Sequence, residues 1–271
     1  MIPPGVLFEY RLARLRFSQG YFVRRSIDVW PLGIQGDKLA ELDCIADEFN
    51  PQLRQAREVI ECKTRARGQG EIDRLVWLKG IGSLARADTV TLAKPHLAER
   101  AQTFARQLGV AVVDESAIAA AESALSLAPD WWPGFHDPEF GERVVKPARA
   151  ILSGSPEIRR AGKFLFGAFW FADDFARVKQ LYTVFRLLGE NADGLPQNAI
   201  KLGVGESTVL FTLTVLSIAS WLNQLVEVEF QRLVETELST GLGDPRQLRV
   251  LLKRIDDLHR DQIEGLHEAY Q

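Results

Sequence analysis

Strand-length apolar runs occur only in the first part of this chain, and that limits its architecture more than any other feature. Residues 6–17, VLFEYRLARLRF, space their apolar side chains at helical intervals, with Arg11, Arg14 and Arg16 outside the stripe. Gln19-Gly20 ends that segment. Residues 21–29 (YFVRRSIDV), 39–46 (LAELDCIA), 58–64 (EVIECKT), 89–93 (TVTLA) and 110–114 (VAVVD) read as strands. DEFNPQLRQ, with its Asn50-Pro51 turn signal, reads as a loop between the second and third. Helices are predicted over 71–86, on a stripe of Leu75, Leu78, Ile81 and Leu84, and over 95–108. The order α-β-β-β-α-β-α-β predicts an α/β fold, a mixed sheet flanked by helices.

Beyond about residue 121 the strand signal disappears. Residues 129–147, with Trp131 and Trp132 among several Pro and Gly, read as an irregular linker. Residues 157–189, 207–238 and 245–269 have helical spacing. The 271 residues therefore divide into 1–121 and a mainly α-helical 122–271. The first part is mildly basic, with 17 Lys and Arg against 15 Asp and Glu, and the remainder acidic, with 16 against 21. With a net charge of −3, nucleic-acid contact requires a local basic patch.

Two cysteines, Cys44 and Cys62, sit in apolar runs and read as buried thiols rather than a disulfide framework. The N-terminus carries charges where a secretory signal needs an apolar stretch. Residues 207–226 are uncharged, but with three Thr, three Ser, Asn223 and Gln224 they read as a buried helix rather than a membrane span. The expectation is a cytoplasmic protein without a membrane partner.

Residues 39–46 and 58–64 form an antiparallel pair if the turn is centred near Gln52, so that opposed residue numbers sum to 104. Asp43 then faces Glu61, Glu41 faces Lys63, and all four share one side. Opposed carboxylates destabilise a plain sheet by roughly 0.2–1 kcal/mol. A hard divalent cation reverses the sign by taking their oxygens as ligands.

In Glu41-Leu-Asp43 followed by Val59-Ile-Glu61-Cys-Lys63, residues 6–115 resemble the PD-(D/E)xK nuclease superfamily, and ELDCIA followed by VIECKTR is similar to its Mrr-like and Holliday-junction-resolvase-like branches. Leu42, not proline, precedes Asp43, and the chain has no overall basic excess. The resemblance implies a restriction-endonuclease-like sheet and Mg²⁺-dependent phosphodiester hydrolysis, with Mn²⁺ as a substitute. It implies a nucleic-acid substrate, DNA before RNA, in a setting such as restriction or defence. By that resemblance Asp43, Glu61, the Cys62 backbone carbonyl and Glu9 on the first helix hold the metal, and Lys63 serves catalysis. Gln69, Arg65 and Arg67 contact the nucleic acid. The helical region would supply recognition, a protein partner or a homodimer interface. The alternative is a catalytically inactive nuclease fold kept as a binding scaffold.

Other signals are weaker. Residues 199–216 resemble a helix-turn-helix but present Leu210, Phe211 and Thr214 where a recognition helix needs polar groups, so a packed helix after a glycine turn is expected. Asp173-Asp174 reads as a solvated face or a helix–helix ion pair, and Arg24 and Arg25 as surface charges. The four histidines are scattered and suggest no metal site.

Overall fold

The structure is a computed structural model that describes residues 2–30, 38–64, 70–222 and 232. Helix α1 (Pro4–Ser18) leads into a five-stranded sheet made of β1 (Phe22–Val29), β2 (Ala40–Phe49), β3 (Gln55–Cys62), β4 (Thr89–Ala93) and β5 (Ala111–Val113). Its order is β1-β2-β3-β4-β5. The first three strands are antiparallel, and β3, β4 and β5 are parallel. The parallel steps need crossovers, supplied by α2 (Glu71–Leu84) and α3 (Glu99–Leu108). The expected α/β class, with a mixed sheet, flanking helices and a helical C-terminal region, is what forms.

Both faces of the sheet are covered. Phe8, Leu12 and Leu15 of α1 and Ile118 of α4 (Glu115–Ala124) pack on Cys44, Ile60 and Cys62. On the opposite side Ile45, Val59, Val90 and Leu92 meet Leu75 and Leu78 of α2 and join the C-terminal helices in one continuous core. Those helices are α6 (Lys146–Gly154), α7 (Arg159–Phe166), α8 (Asp174–Glu190) and α9 (Gln197–Leu222), preceded by the short α5 (Pro138–Phe140). Helix α4 crosses residue 121, where the sequence suggests a boundary.

Several local expectations are corrected. β2 runs on to Phe49 and β3 begins at Gln55, so both ends of the expected loop are strand and only residues 50–54 connect them. The Asn50-Pro51 turn is there, but the strands close on it with a cross-strand pair: Arg57 donates to both Asp47 carboxylate oxygens at 2.7 Å, buried, and to Ala85 O at 3.1 Å. The stripe on α2 omits Leu84, which is exposed, and takes in Ala85. Nine steps of about 100° turn Leu84 to the side opposite Leu75.

Arg14 is buried rather than outside the stripe. Its guanidinium pairs with Glu122 at 2.6 Å, donates to Trp131 O at 3.1 Å and lies under Trp132. Arg24, expected at the surface, pairs with buried Glu206 of α9 at 2.6 Å. Arg25 lies against the Tyr10 ring.

The span 157–189 is broken between α7 and α8 by Gly167 and a 3-10 turn, Ala168–Phe171. A Cβ on Gly167 would overlap the Asp28 carbonyl and the Trp30 indole, so only glycine lets β1 approach this closely. Asp173 caps α8 by accepting the Ala176 N–H, and Asp174 pairs with Arg177 and accepts from Ser217 of α9. α9 runs through Gly203 and Gly205 without a turn. Among the described residues it is long and apolar enough to cross a membrane, with 44% of its most apolar window buried. The helix expected over 245–269 lies outside the described residues.

Candidate active site

The β2–β3 register is the expected one: from Cys44↔Ile60 to Phe49↔Gln55 the paired numbers sum to 104. The ladder stops at Cys44. Beyond it β2 stays with β1 as far as Ala40, and β3 stays with β4 as far as Cys62. The two strands therefore part over the residues that carry Asp43, Glu61 and Lys63.

Asp43 fills the fork. Its Oδ2 accepts the Cys62 N–H at 2.7 Å, in place of the backbone partner lost when the strands separate. The Lys63 Nζ is 3.9 Å from the same oxygen and also pairs with Glu61 Oε1. Lys63 N–H donates to Ala93 O on β4, so Cys62, one residue earlier, directs its N–H to the β2 side. An extended residue sends its N–H and C=O to the same flank, so the Cys62 carbonyl also faces the gap.

Glu61 is fully buried. Oε1 takes Lys63 and Arg74 of α2, while Oε2 is buried with no hydrogen-bond partner. Arg74 is held by stacking its guanidinium 3.8 Å from the Trp77 ring centroid. A buried carboxylate oxygen without a partner is costly, of order 1–3 kcal/mol, and is where a ligand or ion fits.

The electrostatics reflect crowded acids. Burial, then the nearby Glu61 carboxylate, raises the Asp43 carboxyl to about 6, against the pull of Lys63, the Cys62 N–H and Arg74. Burial, then Asp43, raises Glu9 on α1 to about 7, with Arg25 opposing. Glu9 thus stands on the helix beside the fork and senses both Asp43 and Lys63. Glu41 does not face Lys63. It pairs with Lys38 at 2.8 Å and is half exposed. Burial of Glu41 is outweighed by that bond, and its carboxyl falls below the usual range.

The structure brings together Asp43, Glu61, Lys63 and the Cys62 backbone, with Glu9 alongside. Arg65, Arg67 and Gln69 lie outside the described residues. Among the described residues no group of three or more His, Cys, Asp and Glu is assembled for a metal. What converges is a carboxylate pair and a carbonyl, an oxygen-donor set of the size Mg²⁺ uses when water completes its shell. The unpartnered Glu61 Oε2 and the raised Asp43 carboxyl are both features that a bound cation would satisfy. Sequence reasoning missed Arg74; its signal is the i,i+3 spacing to Trp77 on the predicted helix.

No family model matches the chain, and no curated protein is significantly similar to it. A crystal structure of a protein of unknown function, AF1548, matches with 14% identity over 58% of this chain and 88% of that one, at a TM-score of 0.35. A likeness that low carries no argument about fold or function.

Proposed function

We propose that the chain is a metal-dependent nuclease of the PD-(D/E)xK type that hydrolyses phosphodiester bonds in DNA. One observation carries the reading: Asp43, Glu61 and Lys63 converge where β2 and β3 part, and one Glu61 oxygen is left buried and unbonded. Asp43, Glu61 and the Cys62 carbonyl would hold Mg²⁺ (or Mn²⁺), with Glu9 beside them. The cation, when bound, lowers the pKa of a coordinated water and offsets charge developing on the phosphoryl oxygens.

The protein's own groups divide the remaining work. Lys63, 44% exposed at its side chain, is positioned by Glu61 with its ammonium free to reach solvent, where it orients a water or donates to a phosphoryl oxygen. Arg74 holds Glu61 in place from α2. The Cys62 N–H fixes the rotamer of Asp43.

A second reading has its own support. Lys63 and Arg74 together already offset the charge of Asp43 and Glu61, as an inactive scaffold would need. Calorimetric titration with Mg²⁺ and Mn²⁺ separates the two. The nuclease reading expects binding that Asp43→Ala abolishes, and metal-dependent cleavage of duplex or single-stranded DNA. Absence of metal binding by the folded wild-type protein favours the scaffold.

A further inference from the structure

A cavity of about 380 Å³ lies between β1, α1, α6 and the 3-10 turn Gly134–His136. Its volume is within the range of small-molecule sites, roughly 300–1,000 Å³. Glu9 and Glu41 form the wall nearest the carboxylate centre, and Asp28, Glu142 and Glu206 also line the cavity. Phe135 and Phe166 supply apolar surface, and Ser153 has a buried hydroxyl without a hydrogen-bond partner.

Among the described residues, the Arg and Lys side chains of the cavity form ion pairs except Arg25, which acts on Glu9 only at longer range. Arg24 pairs with Glu206 at 2.6 Å, Arg149 with Asp28 at 2.7 Å and Lys146 with Glu142 at 2.7 Å. Lys38 spans Asp28 and Glu41. Arg25 makes no ion pair and donates no side-chain hydrogen bond among the described residues. Its guanidinium carbon is 3.1 Å from the Tyr10 ring centroid, and its Nη1 is buried without an acceptor. The corner also repels further positive charge: burial, then Arg24 and Arg25, hold His136 down at about 4.

A fixed guanidinium with unused donors calls for a planar or tetrahedral oxyanion. The aromatic walls call for a flat body attached to it. We infer that this cavity binds a nucleoside 5′-monophosphate, free or as the end of a strand, with Arg25 and Ser153 meeting the phosphate and Phe135 and Phe166 flanking the base. Binding here needs no metal, so it stands or falls apart from the nuclease reading.

The test is calorimetry of the full chain in EDTA with deoxyadenosine 5′-monophosphate, deoxyadenosine and inorganic phosphate. The monophosphate should bind more tightly than either of its parts. Arg25→Ala should weaken it about tenfold or more, the loss of one charge-assisted contact. Phe135→Ala, a change at a part-exposed side chain, should weaken it with the melting temperature unchanged. A 5′-phosphorylated oligodeoxynucleotide compared with its 5′-hydroxyl form tells a strand end from a free nucleotide, and tighter binding of the phosphorylated form supports the site as well. No binding of the monophosphate at millimolar concentration, or equal binding by folded Arg25→Ala, overturns it. Should Arg25→Ala fail to fold, Arg25→Lys and Phe135→Ala carry the test, and unchanged affinity in both is the refuting result.

Discussion

Lys63 is the member of the cluster least needed for folding, because its side chain is 44% exposed. Lys63→Ala should melt close to wild type, while the proposed metal-dependent cleavage, assayed on DNA, should fall by about a hundredfold or more. Asp43 behaves differently because its carboxyl is raised to about 6 by burial and by Glu61. Folding favours its protonated form. The stability it contributes is present below its unfolded pKa and is lost as pH rises through about 6. Asp43→Asn keeps an acceptor for the Cys62 N–H without the charge, so it should melt higher than wild type near about pH 8 and no higher near about pH 4. Thermal denaturation at both values checks this, and a variant that melts lower at the alkaline value contradicts it. His136 has the opposite sign: held at about 4 by burial and by Arg24 and Arg25, it contributes stability above its unfolded pKa that is lost as pH falls through about 4. Asp43, Glu61 and Lys63 were legible because strand alternation alone puts E-x-K on one face. Arg74 was not, since its carboxylate partner Glu61 sits on another element; the local spacing to Trp77 shows only that the guanidinium can stack.

The fork between β2 and β3 is a property of elements. Each strand is held by its outer neighbour, and the shared ladder ends at Cys44↔Ile60. The break between α7 and α8 is likewise set by a neighbour, the β1 backbone against Gly167. Gly167→Ala should force β1 and the 3-10 turn apart and destabilise the protein by roughly 1–3 kcal/mol. Chemical denaturation measures this, and an unchanged midpoint would show that the contact is loose. Another glycine allows α5 to pass α1: the Tyr10 hydroxyl fills the space a Cβ on Gly141 would take. Helix and strand periodicity located α1, α2 and all five strands. It missed the ends of β2 and β3 because Asp47 and Arg57 look like loop residues until they are seen to satisfy each other.

At the scale of the molecule, one core joins the sheet to α6, α7, α8 and α9. Arg57 reinforces that junction, since besides Asp47 it donates to Trp170 O at 3.4 Å from beneath that ring. Arg57→Met leaves Asp47 buried and unpaired and should cost about 3–5 kcal/mol, whereas Arg57→Met combined with Asp47→Leu should recover much of it. A fragment ending at residue 121 should not fold cooperatively, because Ile45, Val59 and Leu92 would lose part of the helical layer that covers them. Near-ultraviolet circular dichroism of the fragment is the check, and a native-like signal with a sharp melt would refute it. The sequence alone determined the types of α1, α2, α3 and the five strands, the α/β class, the β2–β3 register and the acid–acid–amine set, because periodicities of two and of three to four residues are local and apolar burial enforces them. Only the tertiary structure decided where the ladder opens, that Arg74 and Glu9 stand beside the fork, that Glu41 turns to Lys38, and that Arg25 makes no ion pair among the described residues. Those outcomes depend on which charges meet across elements far apart in the chain, and no local pattern encodes that.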